Sequence, residues 1–327
     1  MSAIVTIIVV NFNAGPYLQR CIAALKAQSF TDFNAVLVDN ASHDGSVALA
    51  RTEIGSDTRF SILELDRNLG FAAGNNRGGA NAQGKWIATL NPDAFPAADW
   101  LEKLIAATRR HGDVVMFGST QFKAENPDEL DGAGDRYFAP GIPWRDRSRM
   151  RLDRARSRGQ DTFETFSPCA AAALYRADAF HDAGGFDEAF FCYVEDVDLG
   201  FRLRRRGHRC LQVTDAIVHH VGGGAGGGRR SDFARYLGIR NLIWCFKKNM
   251  PTPLLILLTP VHIITLAIML LIATLQGNGS AVARGIKDAV AGLARIKRDT
   301  PEPGRSTATG AFDWTPFGYI RQRFRSA

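Results

Sequence analysis

Apolar residues in the first part of the chain form short continuous runs, and the stretches between these runs carry apolar residues at every third or fourth position. The runs cover residues 4–10, 34–38, 60–65, 86–90 and 114–118. Continuous runs rich in β-branched residues are typical of strands buried on both faces of a parallel sheet. The periodic stretches at 17–28 and 99–110 predict helices. This alternation predicts an α/β fold in which a mostly parallel sheet is flanked by helices.

Polar clusters follow three of the predicted strands at the points where they end. They are N-F-N at 11–13, V-D-N at 38–40 and N-P-D at 91–93. In open α/β sheets ligands bind outside the carboxyl ends of the strands, so we expect the three clusters to line one binding edge. The alternative for each cluster is a turn in which Asn and Asp serve only the backbone.

A stretch rich in carboxylates lies at 184–207 and leads into an arginine-rich helical segment. Glu195, Asp196 and Asp198 fall in the first turn of this predicted helix, where the helix dipole favours negative charge. The arginines at 204–206 are expected to face outward. The stretch is either an acidic cap on an amphipathic helix or a catalytic base at the mouth of a cleft.

The chain is basic, with 327 residues, a net charge of +7 and a pI near 9.3. Its arginines cluster at 145–158, at 202–209 and in the tail, and such clusters serve anionic lipids, nucleic acids or phosphorylated small molecules. No nucleic-acid-binding module is recognisable, so nucleic acid is not an expected partner. The glycine loop at 70–78 lacks the order of a dinucleotide fingerprint, and the sequence holds no P-loop motif. Both observations disfavour a dehydrogenase or an NTPase.

Two features indicate a cytoplasmic chain. The five cysteines show no paired spacing, as in proteins of reducing compartments that lack structural zinc. The apolar run at 4–10 is short and has no basic residue before it, so we interpret it as a strand rather than a signal peptide.

Residues 253–275 form an apolar run long enough to cross a bilayer, which needs about 20 residues. Pro260 and His262 interrupt the run, and basic residues flank both of its ends. A span and a kinked segment with both ends on one side of the membrane therefore fit equally well. At 280–298 apolar and basic residues segregate to opposite helix faces, which predicts a helix lying on anionic lipid. The alternative is a soluble helical hairpin packed on the rest of the protein.

Six ordered segments carry a resemblance to a known family. They are V-T-I-I-V-V-N-F-N (5–13), V-D-N-A-S-H-D-G-S (38–46), N-L-G-F-A-A-G-N-N-R-G (68–78), L-N-P-D-A (90–94), G-G-F-D-E-A-F-F-C-Y-V-E-D-V-D-L (184–199) and V-H-H-V-G-G (218–223). Their order and spacing resemble glycosyltransferase family 2, the inverting enzymes of GT-A fold, and within it the rhamnosyltransferase-like bacterial members. The resemblance covers most of residues 4–225 and implies a Rossmann-like sheet of the GT-A type.

A nucleotide-sugar donor is the ligand that this resemblance implies. The candidate donor-binding residues are Asn11, Asn13, Asp39, Asn68, Arg77, Asn91 and Asp93. The first three match positions that hold the nucleotide base in the family. Asn68 and Arg77 belong to the glycine loop and are candidates to reach the diphosphate. The D-x-D motif, which binds ribose and a divalent metal, matches Asn91-Pro92-Asp93, with asparagine in place of the first aspartate.

A divalent metal is the expected cofactor. Some relatives complete the metal site with a histidine after the acidic helix, and His219 is the preferred match, with His220 as the second choice. Asp93, one imidazole, diphosphate oxygens and water would suit Mn or Mg. The alternative is a structural His-His pair at the end of a strand.

Asp196 matches the catalytic base of the family. Inverting transfer needs one carboxylate that takes the proton of the acceptor hydroxyl on the face opposite the leaving group. Glu195 is the second catalytic candidate, with a role in ordering the loop or binding the acceptor. The acceptor-side candidates are Asp198, Cys169 and Ala170. The segment at 167–176 matches the small-residue strand beside the acceptor, although a plain buried strand explains it equally well.

The leading hypothesis is a non-processive glycosyltransferase that adds one sugar to a lipid-linked saccharide for a cell-surface polysaccharide, at the cytoplasmic face of the inner membrane. The first donor to test is dTDP-L-rhamnose, and a UDP-sugar is the second. A nucleotidyltransferase and a non-catalytic sugar- or lipid-binding scaffold are the alternatives. We expect a catalytic domain at 1–249, a membrane-associating region at 250–298 and a basic tail at 299–327. The glycine run at 222–228 is either a lid over the donor or a flexible linker.

Overall fold

The computed structural model describes residues 3–150, 161–223, 231–299 and 306–315. The strands are β1 (Val5–Asn11), β2 (Phe33–Asp39), β3 (Phe60–Glu64), β4 (Trp86–Leu90), β5 (Ala94–Pro96), β6 (Met116–Lys123), β7 (Leu130–Gly132), β8 (Asp135–Phe138), β9 (Ile142–Arg145), β10 (Thr162–Glu164), β11 (Ala172–Arg176), β12 (Cys210–His220) and β13 (Phe312–Asp313). The α-helices are α1 (Pro16–Lys26), α2 (Ser46–Ile54), α3 (Gly70–Gly79), α4 (Trp100–Arg110), α5 (Ala177–Asp182), α6 (Glu195–Arg205), α7 (Asp232–Asn249), α8 (Thr252–Leu275) and α9 (Gly279–Gly292).

The central sheet runs in the order β10-β12-β6-β11-β4-β1-β2-β3, with β5 paired to β12 and β7 to β6. Strands β4, β1, β2 and β3 form a parallel block, and β1 is buried along its whole length, as its β-branched sequence predicts. The register sets Asn11 opposite Asp39, so the first two polar loops leave the sheet at the same level. The predicted mostly parallel α/β sheet is confirmed.

The sheet continues beyond β4 with strands from the second half of the chain. β11 pairs antiparallel with β4 and β6, and β12 then pairs parallel with β6. The short strand β5 follows the N-P-D loop and pairs with the end of β12, where Ala94 lies opposite His220. This pairing brings the V-H-H segment to the N-P-D loop, although the two are far apart in sequence.

Small residues let α3 lie close to the parallel block. A Cβ placed on Gly74 would lie 2.7 Å from Cγ1 of Val10, and one placed on Gly78 would lie 2.6 Å from Cγ2 of Ile8. A close-packed interior has no room for the added carbon at either position. The glycine loop is therefore a packing device for α3, as its spacing of four residues predicts.

Helices α7, α8 and α9 form a C-terminal helical unit against the side of the sheet domain. Ile239, Leu242 and Ile243 of α7 share an apolar cluster with residues of α8 and α9. A second cluster joins Phe246 and Met250 to the region around α6 and β8. Strands β8 and β9 form a hairpin next to this unit, and β13 pairs with β8.

Most of the apolar stripe of α9 packs on protein, and Val290 is the member that is exposed, at 58%. Ala281, Val282, Gly285 and Ala289 are its buried residues, and Gly285 lies directly against Ile239 of α7. The expectation of a helix lying on lipid through this stripe is therefore wrong for most of it, because Val282 and Ala289 are already buried against the protein. Helix α9 packs on α7 as the helical-hairpin alternative expects, but α8 keeps an exposed apolar face.

Candidate active site

A cleft of about 840 Å³ opens at the carboxyl edge of the sheet. Residues from the predicted loops line it: Asn68, Asn91, Asp93, Cys169, Ala170, Glu195, Asp196 and His220. The structure therefore gathers the N-P-D loop, the small-residue strand and the start of the acidic helix around one space. Asn11, Asn13, Asp39, Arg77, Asp198 and His219 are the candidates that lie outside the lining of this cleft.

Asn11 and Asp39 bind each other at the ends of β1 and β2. The side-chain amide of Asn11 donates to Oδ1 of Asp39 at 2.8 Å, to Oγ of Ser42 at 3.0 Å and to Oγ of Ser46 at 2.9 Å. Both residues are buried. Within the described part of the chain, Oδ1 of Asn11 has no hydrogen-bond partner. This network fixes the shape of the two loops, and recognition of the base remains a prediction.

Asn13 continues this network with a left-handed backbone. Its φ is 51°, a conformation that asparagine adopts more readily than most residues. Its Oδ1 accepts a hydrogen bond from the backbone N–H of His43 at 2.8 Å, and its own N–H donates to Ser42 at 3.0 Å. Arg77 lies elsewhere, on α3, with a guanidinium nitrogen 3.5 Å from a carboxylate oxygen of Glu188. The structure thus places Asn13 with the strand ends and Arg77 apart from the cleft.

The histidine next to Asp93 is His220. Its Nε2 lies 3.3 Å from Oδ1 of Asp93, and its Nδ1 lies 3.0 Å from Oδ2 of Asp131. His219 points to the other side of β12, where it packs against Phe122. Residues alternate between the two faces of a strand, so only one of two consecutive histidines can face the cleft. The preference for His219 is therefore corrected to His220.

The surroundings of His220 hold its ring in a fixed orientation. Burial lowers the pKa of His220, but hydrogen bonds to Asp131 and Asp93 outweigh it and raise the pKa above the ordinary value. A carboxylate behind one ring nitrogen, leaving the other to point at a ligand, is the arrangement seen around metal-binding histidines. Asp131 was not among the sequence candidates, because its pairing with His220 depends on β7 lying beside β6.

Asp93 and His220 fit one edge of a divalent metal site and do not complete it. Their facing atoms are 3.3 Å apart, close to the spacing of neighbouring ligands around Mn or Mg. Among the described residues, no group of three or more His, Cys, Asp or Glu side chains has the geometry to hold a metal ion. The remaining ligands would have to come from diphosphate oxygens and water, as they do for Mg²⁺ in many phosphate sites.

Asp196 presents a carboxylate at the first turn of α6. Its Oδ2 accepts a hydrogen bond from the backbone N–H of Ala170 at 3.0 Å, and its Oδ1 accepts one from the N–H of Val197 at 2.8 Å. The side chain is half-buried and lines the cleft. Two N–H groups therefore orient the carboxylate at the cleft wall.

Glu195 is buried beside Asp196, in surroundings that disfavour a charge on its carboxyl group. Burial and the charge of Asp196 raise the pKa of Glu195 well above its ordinary value. Its Oε2 is buried and, among the described residues, has no hydrogen-bond partner. Burial therefore favours the neutral form of Glu195, whereas the half-buried Asp196 presents its carboxylate to the cleft and is the better candidate for a base.

Asp198 is fully buried and lies outside the lining of the cleft. Its Oδ2 lies 2.8 Å from Nε of Arg202 and 2.9 Å from Nζ of Lys248, and its Oδ1 accepts from Asn249 at 2.7 Å. Burial opposes ionisation of Asp198, but Arg202 and Lys248 outweigh it, so the pKa is lowered. The acceptor-side role for Asp198 is therefore corrected to a structural one that ties α6 to the end of α7.

The arginines at 204–206, at the end of α6 and just after it, are held by the protein instead of facing outward as a group. Arg204 is fully buried, donates to the carbonyl of Phe166 at 2.7 Å and also contacts the carbonyl of Thr165. Arg206 pairs with Asp299 at 2.9 Å. These partners lie far along the chain, so the run of arginines gave no sequence signal for them.

The loop before α6 is strained and is held by one asparagine of α7. Phe191, Tyr193 and Val194 have φ values of 65°, 70° and 70°, which are unfavourable for residues with large or branched side chains. The side-chain amide of Asn241 donates to the carbonyls of Phe190 at 2.9 Å, Cys192 at 2.9 Å and Tyr193 at 2.7 Å. Asn241 is fully buried. Its three hydrogen bonds fix the loop that delivers Glu195 and Asp196 to the cleft.

Two further groups complete the cleft wall. Burial raises the pKa of the Cys169 thiol to about 12, so this acceptor-side candidate contributes a neutral surface. Arg145 enters from β9 and donates to Asp135 at 3.0 Å and to Gln121 at 3.0 Å. The sequence candidates did not include Arg145, which lies at the edge of an arginine cluster. Residues 151–158 of that cluster and residues 224–228 of the glycine run lie outside the described residues.

The chain is similar in sequence to one known family of proteins. The model of Glycosyl transferase family 2 matches residues 6–184. The N-acetylglucosaminyl-diphospho-decaprenol L-rhamnosyltransferase of Mycobacterium tuberculosis is 27% identical over 244 residues, which cover 67% of this chain and 77% of that protein.

Solved structures match the fold. The mannosyltransferase PcManGT from Pyrobaculum calidifontis, in complex with GDP-Man and Mn²⁺, aligns with a TM-score of 0.58 and 18% identity, covering 100% of this chain and 84% of that chain. GalNAc-T7 with UDP, GalNAc and Mn²⁺ aligns with a TM-score of 0.60 and 15% identity, covering 75% of this chain and 48% of that chain. At these identities the likeness shows a GT-A fold.

Proposed function

Because the chain belongs to Glycosyl transferase family 2, we propose that it is an inverting, non-processive enzyme that transfers L-rhamnose from dTDP-L-rhamnose to a lipid-linked saccharide. The observation that carries the proposal is the placement of Asp196 in the same cleft as Asp93 and His220. The M. tuberculosis relative is an L-rhamnosyltransferase by name, and its named acceptor is a diphospho-decaprenol. Both features support the choice of donor and acceptor.

Asp196 acts as the general base in this proposal. The acceptor hydroxyl oxygen forms a bond to the anomeric carbon while the bond from that carbon to the diphosphate oxygen breaks. The hydroxyl proton passes to Asp196, and the nucleoside diphosphate leaves with the bonding electron pair. One positioned carboxylate is sufficient for this displacement, and general-base catalysis contributes roughly 10²–10⁴-fold.

Asp93 and His220 hold a divalent cation with the donor in this proposal. A bound Mn or Mg would offset the charge that develops on the leaving diphosphate. Asp131 keeps the His220 ring in place, with its carboxylate 3.0 Å from Nδ1. Arg145 also lines the cleft but is paired with Asp135, so a divalent cation would be the main positive charge added beside Asp93 when a diphosphate binds.

The donor is tested by thermal unfolding of the protein with dTDP-, UDP- and GDP-sugars, each with and without Mn²⁺. A ligand that binds the folded state raises the midpoint by mass action. We expect the largest rise with dTDP-L-rhamnose and Mn²⁺, followed by transfer to a lipid-linked GlcNAc acceptor. A larger rise with a UDP-sugar would replace the donor and leave the mechanism intact. Stabilisation without any metal dependence would contradict the cation site.

A membrane surface is the proposed location, on the cytoplasmic side of the inner membrane. Residues 250–298 contain one helix, α8, whose length and composition suit a membrane segment, with a mean hydropathy of 2.6. A lipid-linked acceptor would be reached at this surface. Fractionation of cells into soluble and membrane pools tests this location, and recovery of the full-length protein only in the soluble pool would contradict it.

A further inference from the structure

The outward face of α8 is apolar, which is the reverse of a helix on the surface of a soluble protein. Ile256, Leu257, Leu271 and Leu275 are 71%, 68%, 60% and 79% exposed. The helix contains no Asp, Glu, Lys or Arg. A soluble surface helix carries polar residues on its outward side, so this face is suited to an apolar medium.

The opposite face of α8 is packed on the protein along nearly the whole helix. Leu254 and Leu258 contact the cluster around Phe246, and Leu266 and Ala273 belong to the cluster around α7 and α9. From Leu254 to Ala273 a helix extends about 29 Å at 1.5 Å per residue. A helix that crosses a bilayer would carry these packing partners into the hydrocarbon with it.

The partners of α8 are unsuited to the bilayer core. Helix α7 carries Arg240, Lys247 and Lys248, and the guanidinium of Arg240 donates to backbone carbonyls of the 189–194 loop. Charged side chains at the centre of a bilayer cost several kcal/mol each. The sheet domain also packs on α8, through the apolar cluster that contains Phe246. These contacts therefore keep one side of α8 out of the hydrocarbon.

His262 fixes the middle of α8 to the tip of the β8–β9 hairpin. Its ring stacks on Phe246 with centroids 4.2 Å apart, and its Nδ1 donates to the carbonyl of Pro140 at 2.6 Å. A side chain on Gly141 would collide with His262, so the contact is close. This polar anchor at mid-helix explains the histidine that interrupts the apolar sequence.

From this packing we propose that α8 lies in the plane of the membrane, with its outward face in the lipid and both ends on the same side. The outward face of α8 therefore contacts a phospholipid bilayer in this proposal. The hairpin that His262 holds also leads to the cleft, since Arg145 follows Gly141 by four residues, about 13 Å of extended strand. Embedding α8 therefore brings the cleft close to the lipid surface from which a lipid-linked acceptor is presented.

Flotation with vesicles of phosphatidylethanolamine and phosphatidylglycerol tests the lipid face. The full-length protein is expected to float, and to remain bound in about 1 M salt, where charge interactions extend only about 3 Å. Ile264→Glu with Leu271→Glu is expected to reduce the floated fraction at least tenfold. The matched control is Leu49→Glu with Leu63→Glu, at exposed positions of the sheet domain. Equal flotation of both variants, or a lipid-free dimer that buries α8, would overturn the proposal.

Labelling of single cysteines tests the in-plane orientation. Thr252→Cys and Gln276→Cys place a thiol at either end of α8, where both native residues are exposed. In sealed inside-out vesicles a membrane-impermeant maleimide is expected to label both positions without permeabilisation. Labelling of one position only after permeabilisation would show that α8 crosses the bilayer. Neither assay measures sugar transfer, so this proposal and the proposed function can fail separately.

Discussion

The strand-end loops on one side of the cleft and the 189–194 loop on the other are stabilised in different ways. Asn11 and Asp39 bind each other and the serines of the loop that follows, within neighbouring βα units. The 189–194 loop has strained backbone and depends on Asn241, from a helix that begins after the sheet is complete. The side proposed to bind the donor is thus locally determined, whereas the side that carries the proposed base is positioned from a distance. Substitutions far from the chemistry should therefore affect Asp196 more than they affect the donor loops.

Removing the proposed base gives the largest expected effect. Asp196→Asn keeps the shape of the side chain and one of its two accepting oxygens, and it removes the ability to take a proton. We expect kcat to fall by roughly 10²–10⁴-fold, with nucleotide affinity within a factor of about two of wild type by titration calorimetry. The control is Asp215→Asn, a half-exposed carboxylate on β12. A turnover number near that of wild type would exclude Asp196 as the base.

Removing the hydrogen bonds that hold the 189–194 loop tests whether α7 positions Asp196. Asn241→Ala removes three hydrogen bonds to the carbonyls of the loop. At about 1 kcal/mol for each net bond, we expect the free energy of unfolding to fall by about 2–4 kcal/mol. We also expect kcat to fall about tenfold to a hundredfold, because small displacements of a catalytic group are costly.

The split between kinetic constants separates positioning from general loss of structure. The KM for the donor should stay within about twofold of wild type in Asn241→Ala, since the strand-end loops do not contact Asn241. Asn278→Ala, at a half-buried asparagine outside this loop, is the control. A proportional loss of kcat and donor affinity would contradict the separation of the two sides.

The two histidines of β12 provide a matched pair for the metal site. His220→Ala is expected to raise the Mn²⁺ concentration for half-maximal activity about tenfold, because Asp93 then lacks its facing ligand. His219→Ala should change this concentration little, since its ring packs against Phe122 instead. The measurement is activity across a Mn²⁺ titration. The opposite ranking of the two variants would return the assignment to His219.

A substitution in the strand-end loops should change the KM for the donor more than it changes kcat. Asn11→Ala removes the amide that joins Asp39, Ser42 and Ser46. We expect the KM for the donor to rise about threefold to tenfold, with a smaller change in kcat, because the loss of one buried hydrogen-bonding group costs about 1–3 kcal/mol in loop stability. Initial-rate kinetics over a range of donor concentrations measure both constants. A fall in kcat at unchanged KM would place Asn11 with the catalytic side.

The charge state of Glu195 gives the smallest expected effect. Its pKa is raised above the ordinary value of 4.5 in the folded protein, so the folded state binds the proton more tightly than the unfolded chain. This contribution to stability is complete below about pH 4.5 and is lost as the pH rises through the folded-state pKa. Glu195→Gln should therefore melt about 2–4 °C higher than wild type at pH 8, with less difference at pH 5. A uniform shift at both pH values would contradict a protonated Glu195.

Sequence periodicity and motif order predicted most of the sheet domain. The parallel strands, the edge at which Asp93 and Asp196 meet, and the packing of Gly74 and Gly78 all follow from local patterns. These features depend on residues near one another in sequence, or on the rule that ligands bind at the carboxyl ends of strands.

Features that depend on contacts between distant parts of the chain were not predictable. The assignment of Asp198 failed because its partner Lys248 lies on another helix, and a buried ion pair leaves no local pattern. The choice between His219 and His220 required the pairing of β12 with β5. The stripe of α9 has the period of a lipid-facing helix, but periodicity alone does not say which partner buries it. Asn241 has no motif at all.

The anomeric configuration of the transferred sugar tests the central claim most directly. In the proposed mechanism Asp196 is the only base, and the acceptor oxygen displaces the diphosphate in one step. Proton NMR of the product formed from dTDP-L-rhamnose, or from whichever sugar the donor panel selects, should show the configuration opposite to that of the donor. A product that retains the configuration of the donor would require a second displacement and would contradict the account.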